Sequence, residues 1–382
     1  MIYLDFAAAT PVNDKALKAM GPYFAEEFFN PSSPYLPAKK VAAEYESAKA
    51  VIARAIGAKA TDLVITAGAT EANNLAFTAL SLGEAEPTFK ILYLETEHDS
   101  VRRVAEQCGG VAIQVLPSGL IDLEDLKGKI TDGTELISVS LVNNELGTIQ
   151  PLAEVAKIVR EIRLDRMRRG VKRQLLLHSD ASQALNLLDV NVARLGVDLM
   201  TLNSAKIYGP KGVGALYVSH EAKLRPLVAG GGQEQGLRSG TENVPGVIGF
   251  ATVVAEAKKH VKNNRAKYRE LRRILLDELQ GYELINKKHT LDNFVILCYN
   301  GLDAERLVFL LEDKGVYVAT GAACAASKGV RSHVLKAIGL SDSEIAGSLR
   351  LSLGELNDAE QMHEAARIIN EVVLAERARI NG

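Results

Sequence analysis

An α/β fold with a mostly parallel sheet is predicted by two features of the 382-residue sequence. Short β-rich apolar runs alternate with helical stretches, which is typical of parallel strands joined by helices. Polar side chains collect directly after several of these runs, as they do at the ligand-binding edge of open α/β sheets. The predicted strands are Leu63–Thr66, Ile91–Leu94, Leu136–Val142, Gln174–His178, Asp198–Leu202 and Gly214–Val218.

Helices are predicted between several of these strands and after the last of them. Helical patterns cover Ala38–Ile56 and Leu152–Arg163. A longer helical pattern follows Val244 and extends to Gln280. We expect it to connect to a second, smaller α/β unit, with strands in Asn293–Cys298, Tyr317–Ala319 and Leu349–Leu353.

Composition argues against several classes of protein. The formal net charge is −2, so nucleic acid is not an expected partner. No apolar run approaches the length of a membrane span, and Asp5 lies where a signal peptide would be apolar, so we expect a cytoplasmic protein. The three cysteines form no Cys-x-x-Cys, which argues against a disulfide framework or a zinc site. The basic run Arg160–Arg173 is interpreted as a solvated helix end and loop.

One lysine has a setting that a surface lysine does not need. Lys206 follows the apolar run that ends at Leu202, and a predicted turn over Tyr208–Gly212 comes after it. Asp180 lies at the end of the preceding strand, 26 positions earlier. A pyridoxal phosphate enzyme needs both residue types, because the lysine forms a Schiff base and the carboxylate keeps the pyridine nitrogen protonated. The pair therefore predicts a site for this cofactor.

Other predicted strand ends supply the remaining groups that this cofactor requires. His98 can lie against the face of the ring, and the Ala69–Thr70 turn at a helix N-terminus suits the phosphate. Asn144 and Gln183 can donate to the phenolic oxygen. Singly, each residue has an ordinary explanation, such as a helix cap at Asp180. Their joint order along the chain favours the cofactor site.

The same segments resemble a known family. The chain is similar to the cysteine desulfurases of the nitrogen-fixation and iron–sulfur-cluster assembly type, which are fold-type I pyridoxal phosphate enzymes of the class-V aminotransferase family. The resemblance covers almost the whole chain and rests on Tyr-Leu-Asp at 3–5, Asn-Pro-Ser-Ser at 30–33, GATEANNLA at 68–76, Glu-His at 97–98, NNELGTIQP at 143–151, HSDASQ at 178–183, KIYGPKGVGALYV at 206–218, GGGQEQGLRSGTENVPG at 230–246, Cys324 in TGAACAAS, and RLSLG at 350–354. It implies a large cofactor domain over residues 15–255 and a small domain from residues 1–14 and 256–382.

The resemblance also implies a role for each site residue. Lys206 binds the cofactor covalently, Asp180 contacts the pyridine nitrogen, and Gln183 contacts the phenolic oxygen. His98 stacks on the ring and can act as an acid or base. Thr241 reaches the phosphate of the neighbouring subunit, so a homodimer is expected. The implied cofactor-binding residues are Ala69, Thr70, His98, Asn144, Asp180, Gln183, Asn203, Lys206 and Thr241.

The implied reaction converts L-cysteine to L-alanine. Arg350 and Asn144 bind the substrate carboxylate, a task suited to a bidentate guanidinium. Lys206 takes the Cα proton, and Cys324 accepts the sulfur as a persulfide. The implied catalytic residues are thus Lys206, Cys324 and His98. The sulfur would then pass to an acceptor or scaffold protein for iron–sulfur cluster or thio-cofactor synthesis.

The three cysteines differ in their surroundings. Cys324 lies among glycines and alanines in residues 319–329, a segment with too little apolar surface to fix itself, so we expect a mobile loop. Cys298 lies in an apolar run and is expected to pack in the core. Cys108 precedes two glycines and is expected to be structural.

Several positions depart from the family pattern. Residues 203–205 read Asn-Ser-Ala in place of Ser-Gly-His, so a histidine contact to the phosphate is missing and Asn203 replaces the serine. Gln235 and Glu355 occupy positions where arginine is usual, and Tyr35 occupies one where histidine is usual. None removes a residue of the chemical path, but cofactor affinity, rate and partner choice stay open.

Two other functions also stay open. One is a different class-V pyridoxal phosphate enzyme, such as a selenocysteine lyase, and the presence of Cys324 argues against it. The other is a degenerate member that serves as a binding scaffold. The presence of both Lys206 and Cys324 argues against that role.

Overall fold

The computed structural model describes residues 1–81, 90–321 and 331–381. The strands are β1 (Ile2–Tyr3), β2 (Leu63–Thr66), β3 (Lys90–Leu94), β4 (Val111–Ile113), β5 (Thr134–Ser138), β6 (Leu176–Asp180), β7 (Leu199–Asn203), β8 (Gly214–Val218), β9 (Glu283–Leu284), β10 (Phe294–Cys298), β11 (Val316–Tyr317), β12 (Ala319–Thr320) and β13 (Ser348–Ser352). The helices are α1 (Asp14–Met20), α2 (Leu36–Ala55), α3 (Ala69–Ser81), α4 (Asp99–Gln107), α5 (Leu123–Lys129), α6 (Leu152–Arg169), α7 (Val192–Leu195), α8 (Val244–Glu278), α9 (Ala304–Asp313), α10 (His333–Ala337), α11 (Asp342–Ala346) and α12 (Ala359–Asn381).

The largest sheet has the strand order β2-β8-β7-β6-β5-β3-β4. Strand β8 pairs antiparallel with both of its neighbours, and the other pairs are parallel. Because β8 runs opposite to both β2 and β7, those two strands point the same way. Every strand of this sheet except β8 therefore ends at one edge. The prediction of an α/β fold with a mostly parallel sheet is confirmed.

Both faces of this sheet are covered. In β2, Leu63 and Ile65 pack into one apolar cluster and Val64 packs into another, so alternate side chains point to opposite faces. All four residues of β2 are buried. Burial of each such side chain stabilises the fold by roughly 1.5–3 kcal/mol. A sheet covered on both faces leaves its edge as the place where polar side chains meet a ligand.

The carboxy-terminal part of the chain forms a second sheet, antiparallel, with the order β12-β13-β10-β9. The amino-terminal strand β1 pairs in parallel with β11, and Asp5 forms a bridge with Ser352 in β13. Helix α8 packs against α1, α2 and α12. The N-terminal residues therefore lie against the second sheet. The division into domains at residues 15–255 stays a prediction.

One predicted strand is shorter than expected. The run Leu136–Val142 was predicted as a single strand, but β5 ends at Ser138. Two residues later, the Ser140 N–H donates to Glu97 Oε1 at 2.7 Å. Strand β3 has already ended at Leu94, so this N–H donates to a side chain and not to the backbone of a neighbouring strand. Strand β4 was not predicted, because its three residues are too few to show a pattern.

The interpretation of the basic run as solvated is wrong for one residue. Arg166 is 2% exposed, and its guanidinium donates to the carbonyl oxygens of Thr131 and Thr134 at 2.5 and 2.8 Å. Arg169 contacts the exposed Asp132 with both of its terminal nitrogens. The run therefore ties α6 to the turn before β5. In residues 1–81, 90–321 and 331–381, no helix has both the length and the apolarity that a membrane span needs.

Candidate active site

A cavity of about 360 Å³ opens at the edge where the parallel strands end. Turns and helix starts after β2, β3, β5, β6 and β7 contribute to its wall, together with the N-terminal segment and β13. Its lining residues are Asp5, Ala7, Ala8, Ala69, Thr70, Glu97, His98, Ser100, Ser140, Val142, Asn144, Asp180, Ser182, Gln183, Asn203, Lys206 and Arg350. The cavity thus brings together all the described site residues predicted from the sequence except Thr241.

The turn between β2 and α3 forms one end of the cavity. Gly68 has a φ of 146°, which favours glycine, and Ala69 begins the helix. The turn packs tightly on β8, since a Cβ on Gly214 would lie 2.8 Å from the Gly68 Cα. The N–H groups of a first helical turn have no partner within the helix. Ala69 and Thr70 therefore present backbone donors that suit an anion.

Asp180 ends β6 and is 8% exposed. Its Oδ1 accepts a hydrogen bond from the Ser182 N–H at 2.9 Å. Its Oδ2 accepts one from the Asn73 side chain, also at 2.9 Å. Each carboxylate oxygen is thus held by a neutral donor, and no described arginine or lysine is hydrogen-bonded to it. The carboxylate can serve as an anionic acceptor for a group in the cavity.

His98 lies past the end of β3 and caps α4. Its Nδ1 accepts from the Ser100 N–H at 3.1 Å and lies 2.9 Å from the Ser100 Oγ. Burial lowers the pKa of His98, Asp180 opposes this shift, and Lys206 adds to it. The ring is therefore neutral near pH 7. Because Nδ1 accepts, the single ring proton lies on Nε2.

Lys206 lies in a single helical turn, Ser204–Lys206, directly after β7. Its Nζ donates to the carbonyl oxygens of Ala7 and Ala8 at 2.9 and 2.6 Å. Gln183 Nε2 also donates to the Ala7 carbonyl, at 3.1 Å. The turn after the lysine is fixed by Tyr208, which has a φ of 65° and whose N–H donates to Thr10 Oγ1. The N-terminal segment thus holds the amine at the cavity.

Arg350 enters the cavity from β13 and is 3% exposed. Its Nη2 donates to Asp5 Oδ1 at 2.7 Å, and its Nη1 donates to the Asn144 carbonyl at 3.0 Å. Its buried Nε has no partner among the described residues. The guanidinium is held at two points and lines the cavity, where it can pair with a small carboxylate.

These groups fit pyridoxal phosphate. A helix start suits the phosphate, Asp180 can accept from a pyridinium N–H, and Lys206 supplies the amine. Asn203 Oδ1 is used by the Ala205 N–H at 3.1 Å, so its Nδ2 remains the group that can donate to an anion. Among the described residues, no group of three or more His, Cys, Asp or Glu is placed to hold a metal ion.

Other predicted site residues lie elsewhere. Thr241 is exposed and does not line the cavity. Cys324 and most of its predicted loop lie outside the described residues, so the predicted mobility of that loop is untested. Cys298 is buried in β10, with its Sγ 3.3 Å from the Glu344 carbonyl. Cys108 caps the end of α4. Neither of these two cysteines lines the cavity.

Ser332 and His333, which follow the segment that contains Cys324, are held beside the cavity. Ser332 Oγ donates to Glu145 Oε2 at 2.6 Å, and His333 Nε2 contacts the Glu97 carbonyl at 2.9 Å. Desolvation raises the pKa of Glu145 to about 7. On the other side of that segment, the Gly321 N–H donates to the Ser348 carbonyl, two residues before Arg350. Both ends of the segment that contains Cys324 are therefore anchored near the site.

Sequence reasoning missed four residues of the site. Asp5 and Glu97 appeared only as parts of longer family segments, and Asn73 and Ser100 received no role. The one signal that could have found two of them was their position in the sequence. Asn73 lies four residues after Ala69, and Ser100 lies two residues after His98. A residue four positions after a helix start lies on the same face of the helix, which applies to Asn73 but not to Ser100.

Comparisons with known proteins agree with this geometry. The family described as aminotransferase class-V matches residues 2–364. Cysteine desulfurase IscS 1 of Archaeoglobus fulgidus is 36% identical over 382 residues, covering 98% of this chain and 97% of the relative. The solved structure of a NifS-like protein has a TM-score of 0.90 at 28% identity and covers 98% of this chain and 99% of its own. A structure titled SspA in complex with cysteine has a TM-score of 0.81 at 30% identity and covers 92% and 99% of the two chains. The chain therefore belongs to the class-V aminotransferase family, in the group that contains these cysteine desulfurases.

Proposed function

We propose that this chain is a pyridoxal phosphate-dependent cysteine desulfurase. The observation that supports this most directly is one cavity that combines an amine at Lys206, a carboxylate at Asp180, a neutral ring at His98 and a guanidinium at Arg350. The first three suit the cofactor, and the fourth suits the carboxylate of an amino acid. The cysteine desulfurase relatives and the cysteine-bound structure point to cysteine as the substrate.

The cofactor-binding roles follow from the contacts of each group. When bound, pyridoxal phosphate supplies an electron sink that stabilises negative charge at the substrate Cα. Ala69, Thr70 and Asn203 would hold the phosphate with backbone and amide donors. Asp180 would accept from the pyridine nitrogen. Gln183, whose amide lies beside the Ala7 carbonyl, would donate to the phenolic oxygen.

Substrate binding and proton transfer use the other wall. The substrate carboxylate would lie against the Arg350 guanidinium where it lines the cavity, beside Asn144. Lys206 Nζ takes the proton from the substrate Cα and can return one to the product. His98, with its proton on Nε2, would lie against the cofactor ring and would serve as an acid or base.

The sulfur passes to Cys324. The Cβ–S bond of the substrate breaks, a bond forms between that sulfur and the Cys324 sulfur, and the carbon fragment gains a proton, so that cysteine and the enzyme thiol become alanine and the enzyme persulfide. Cys324 follows Gly321 by three residues, which span at most about 11 Å when extended. Because Gly321 is anchored next to the strand of Arg350, this reach favours Cys324 as the acceptor.

Two partners belong to this proposal. The first is a second copy of the chain, because Thr241 is exposed outside the cavity and would serve the phosphate of the partner's site. The second is an acceptor or scaffold protein that takes the persulfide sulfur for iron–sulfur cluster synthesis. A cytoplasmic location stays a prediction.

The proposal is tested with purified protein, cysteine and pyridoxal phosphate. We expect alanine and a persulfide in equal amounts in the first turnover. Cys324→Ser should still bind cysteine, seen as a change in cofactor absorbance, but form no persulfide. Cys108→Ser, a change of the same type outside the cavity, should behave as the native protein.

One outcome separates this proposal from a lyase. If Cys324→Ser releases sulfide from cysteine at the native rate without added thiol, the sulfur does not pass through Cys324. The protein would then act as a direct lyase, and selenocysteine should be compared with cysteine as its substrate.

A further inference from the structure

Asn73 lies in α3 between the two groups that face the cofactor ring. It is fully buried, although its side chain is polar. Its Nδ2 donates to Asp180 Oδ2 at 2.9 Å and to Ser100 Oγ at 2.8 Å. An amide nitrogen has two hydrogens, so these two bonds use its full donor capacity. Asn73 therefore bridges the end of β6 and the start of α4.

The orientation of this amide is fixed by charge. If the amide were turned over, its carbonyl oxygen would face the Asp180 carboxylate, and the two acceptors would repel each other. The Asn73 Oδ1 is buried without a partner among the described residues, so no other contact sets its position. Asp180 and Ser100 therefore determine how Asn73 lies, and Asn73 in turn limits rotation of the Asp180 carboxylate.

The second bond acts on His98 through Ser100. Because Ser100 Oγ accepts from Asn73, its own hydrogen is directed elsewhere, and His98 Nδ1 lies 2.9 Å away. The Ser100 N–H donates to the same Nδ1 at 3.1 Å. The backbone donor by itself excludes a proton at Nδ1, and the hydroxyl adds a second contact to the same atom. The ring proton of His98 is thereby kept on Nε2.

We infer that Asn73 is a positioning residue that holds the Asp180 carboxylate in place and, through Ser100, directs a hydroxyl donor at His98 Nδ1. The inference rests on the proposed function, because it assigns to Asn73 control over the two groups that would contact the cofactor ring. It adds a residue that touches neither cofactor nor substrate. One amide would then hold both the carboxylate and the histidine side chain that the proposed function assigns to the cofactor ring.

The test compares Asn73→Ala with Asn74→Ala, the same change at the next position of the same helix, where the side chain donates to the Thr70 carbonyl on the exposed side. We expect Asn73→Ala to lower kcat by about 10- to 100-fold with a smaller change in KM, since a hydrogen bond to a charged group is lost. It should also move the midpoint of the pH titration of cofactor absorbance. Asn74→Ala should change neither quantity.

Ser100 supplies a second and independent test. Ser100→Ala removes the hydroxyl that links Asn73 to His98, and Ser100→Thr keeps it. Because the residue 100 N–H donates to His98 Nδ1 in both variants, the Nε2–H form should persist, and the midpoint of the His98 titration, measured by NMR, should rise in Ser100→Ala and stay unchanged in Ser100→Thr. The losses in kcat for Asn73→Ala and Ser100→Ala should not be additive, because both act in one chain of hydrogen bonds.

The outcomes are distinguishable. If the native protein neither binds pyridoxal phosphate nor releases alanine, the proposed function fails. If the native protein is active but Asn73→Ala leaves both kcat and the absorbance midpoint unchanged, the inference about Asn73 alone is wrong. Should Asn73→Ala not fold, the two Ser100 variants still decide the link to His98, and an unchanged midpoint of the His98 titration in Ser100→Ala would refute it.

Discussion

The two walls of the cavity are built on different principles. On the sheet wall, Asp180, Asn73, Ser100 and His98 form hydrogen bonds with one another through neutral donors. On the opposite wall, the cationic groups of Lys206 and Arg350 are held by the N-terminal segment, through backbone carbonyls and Asp5. The first wall is fixed before any ligand arrives. The second wall holds cations by contacts that a ligand can replace.

This difference matches what each wall has to do. A cofactor that stays bound gains from acceptors and rings that are already in place, because little ordering is required on binding. A substrate that must enter and leave needs partners that can be exchanged. The amine of Lys206 and the guanidinium of Arg350 are the groups that change partners. The comparison therefore predicts that substitutions at the second wall have large effects on activity. Substitutions that remove the protein groups paired with its cations should lower the free energy of unfolding.

The largest expected effect is at Lys206. Lys206→Ala removes the amine that binds the cofactor and takes the Cα proton, so alanine release from cysteine should fall below detection and the absorbance of the lysine-bound cofactor should be lost. Lys211→Ala removes an exposed lysine from the following turn and should keep activity. Normal catalysis by Lys206→Ala would overturn the assignment of the nucleophile.

The next effect concerns the resting partner of Arg350. Asp5→Asn leaves a guanidinium that is 3% exposed without its counter-charge, so the free energy of unfolding should fall by about 3 kcal/mol, the lower end for broken buried pairs. Alanine, whose carboxylate can take the place of Asp5, should restore part of the loss. Chemical denaturation with and without alanine measures both changes.

The matched control for Asp5→Asn is Asp132→Asn. Its partner Arg169 is about half exposed, and exposed pairs contribute less than about 1 kcal/mol. A loss at Asp5 no larger than the loss at Asp132 would mean that Arg350 does not depend on Asp5. In that case the second wall would not be held by exchangeable charge contacts.

The sequence predicted the groups that follow strands far better than the contacts that hold them. Asp180 and Lys206 follow apolar runs that are recognisable as strands, and parallel strands bring their ends to one edge. The N-terminal segment reaches the cavity only because β1 pairs with β11, more than 300 residues away, and no local pattern reveals such a pairing. The Arg350–Asp5 contact therefore needed the structure, and so did the role of Asn73, whose two partners come from different elements.

A smaller effect is expected at Glu97, which precedes His98 and lines the cavity. Burial, with a further contribution from Asp180, raises the pKa of Glu97 to about 8. Between about pH 4.5 and 8 the folded protein therefore keeps a proton that the unfolded chain releases, so this contribution to stability is present at low pH and is lost as the pH rises toward 8. The loss is at most about 1.4 kcal/mol per pH unit. Glu97→Gln cannot ionise and should show a flatter profile between pH 6.5 and 8.5.

The unfolding of apoprotein at several pH values provides the measurement for Glu97. Glu145, whose pKa is raised to about 7, shifts stability in the same direction, so the comparison must be between Glu97→Gln and the native protein rather than between pH values alone. The pKa values of His98, His178 and His333 are lowered, and those residues act below about pH 6.5. Identical slopes for the two proteins would show that Glu97 is already ionised at neutral pH.

The smallest effect is expected at Ala205, where the alanine side chain supplies no donor to the cofactor phosphate. Ser204 cannot supply it, because its Oγ is directed at Gly209, where an added Cβ would lie 2.0 Å away. Asn203 keeps its Nδ2 as a donor, so part of the missing contact is recovered. Ala205→His should therefore tighten pyridoxal phosphate binding by only about 5- to 10-fold, or about 1 kcal/mol. Titration of apoprotein with the cofactor measures this gain, and Ala205→Leu controls for size alone. Equal affinity in Ala205→His and the native protein would mean that Asn203 and the α3 donors already saturate the phosphate.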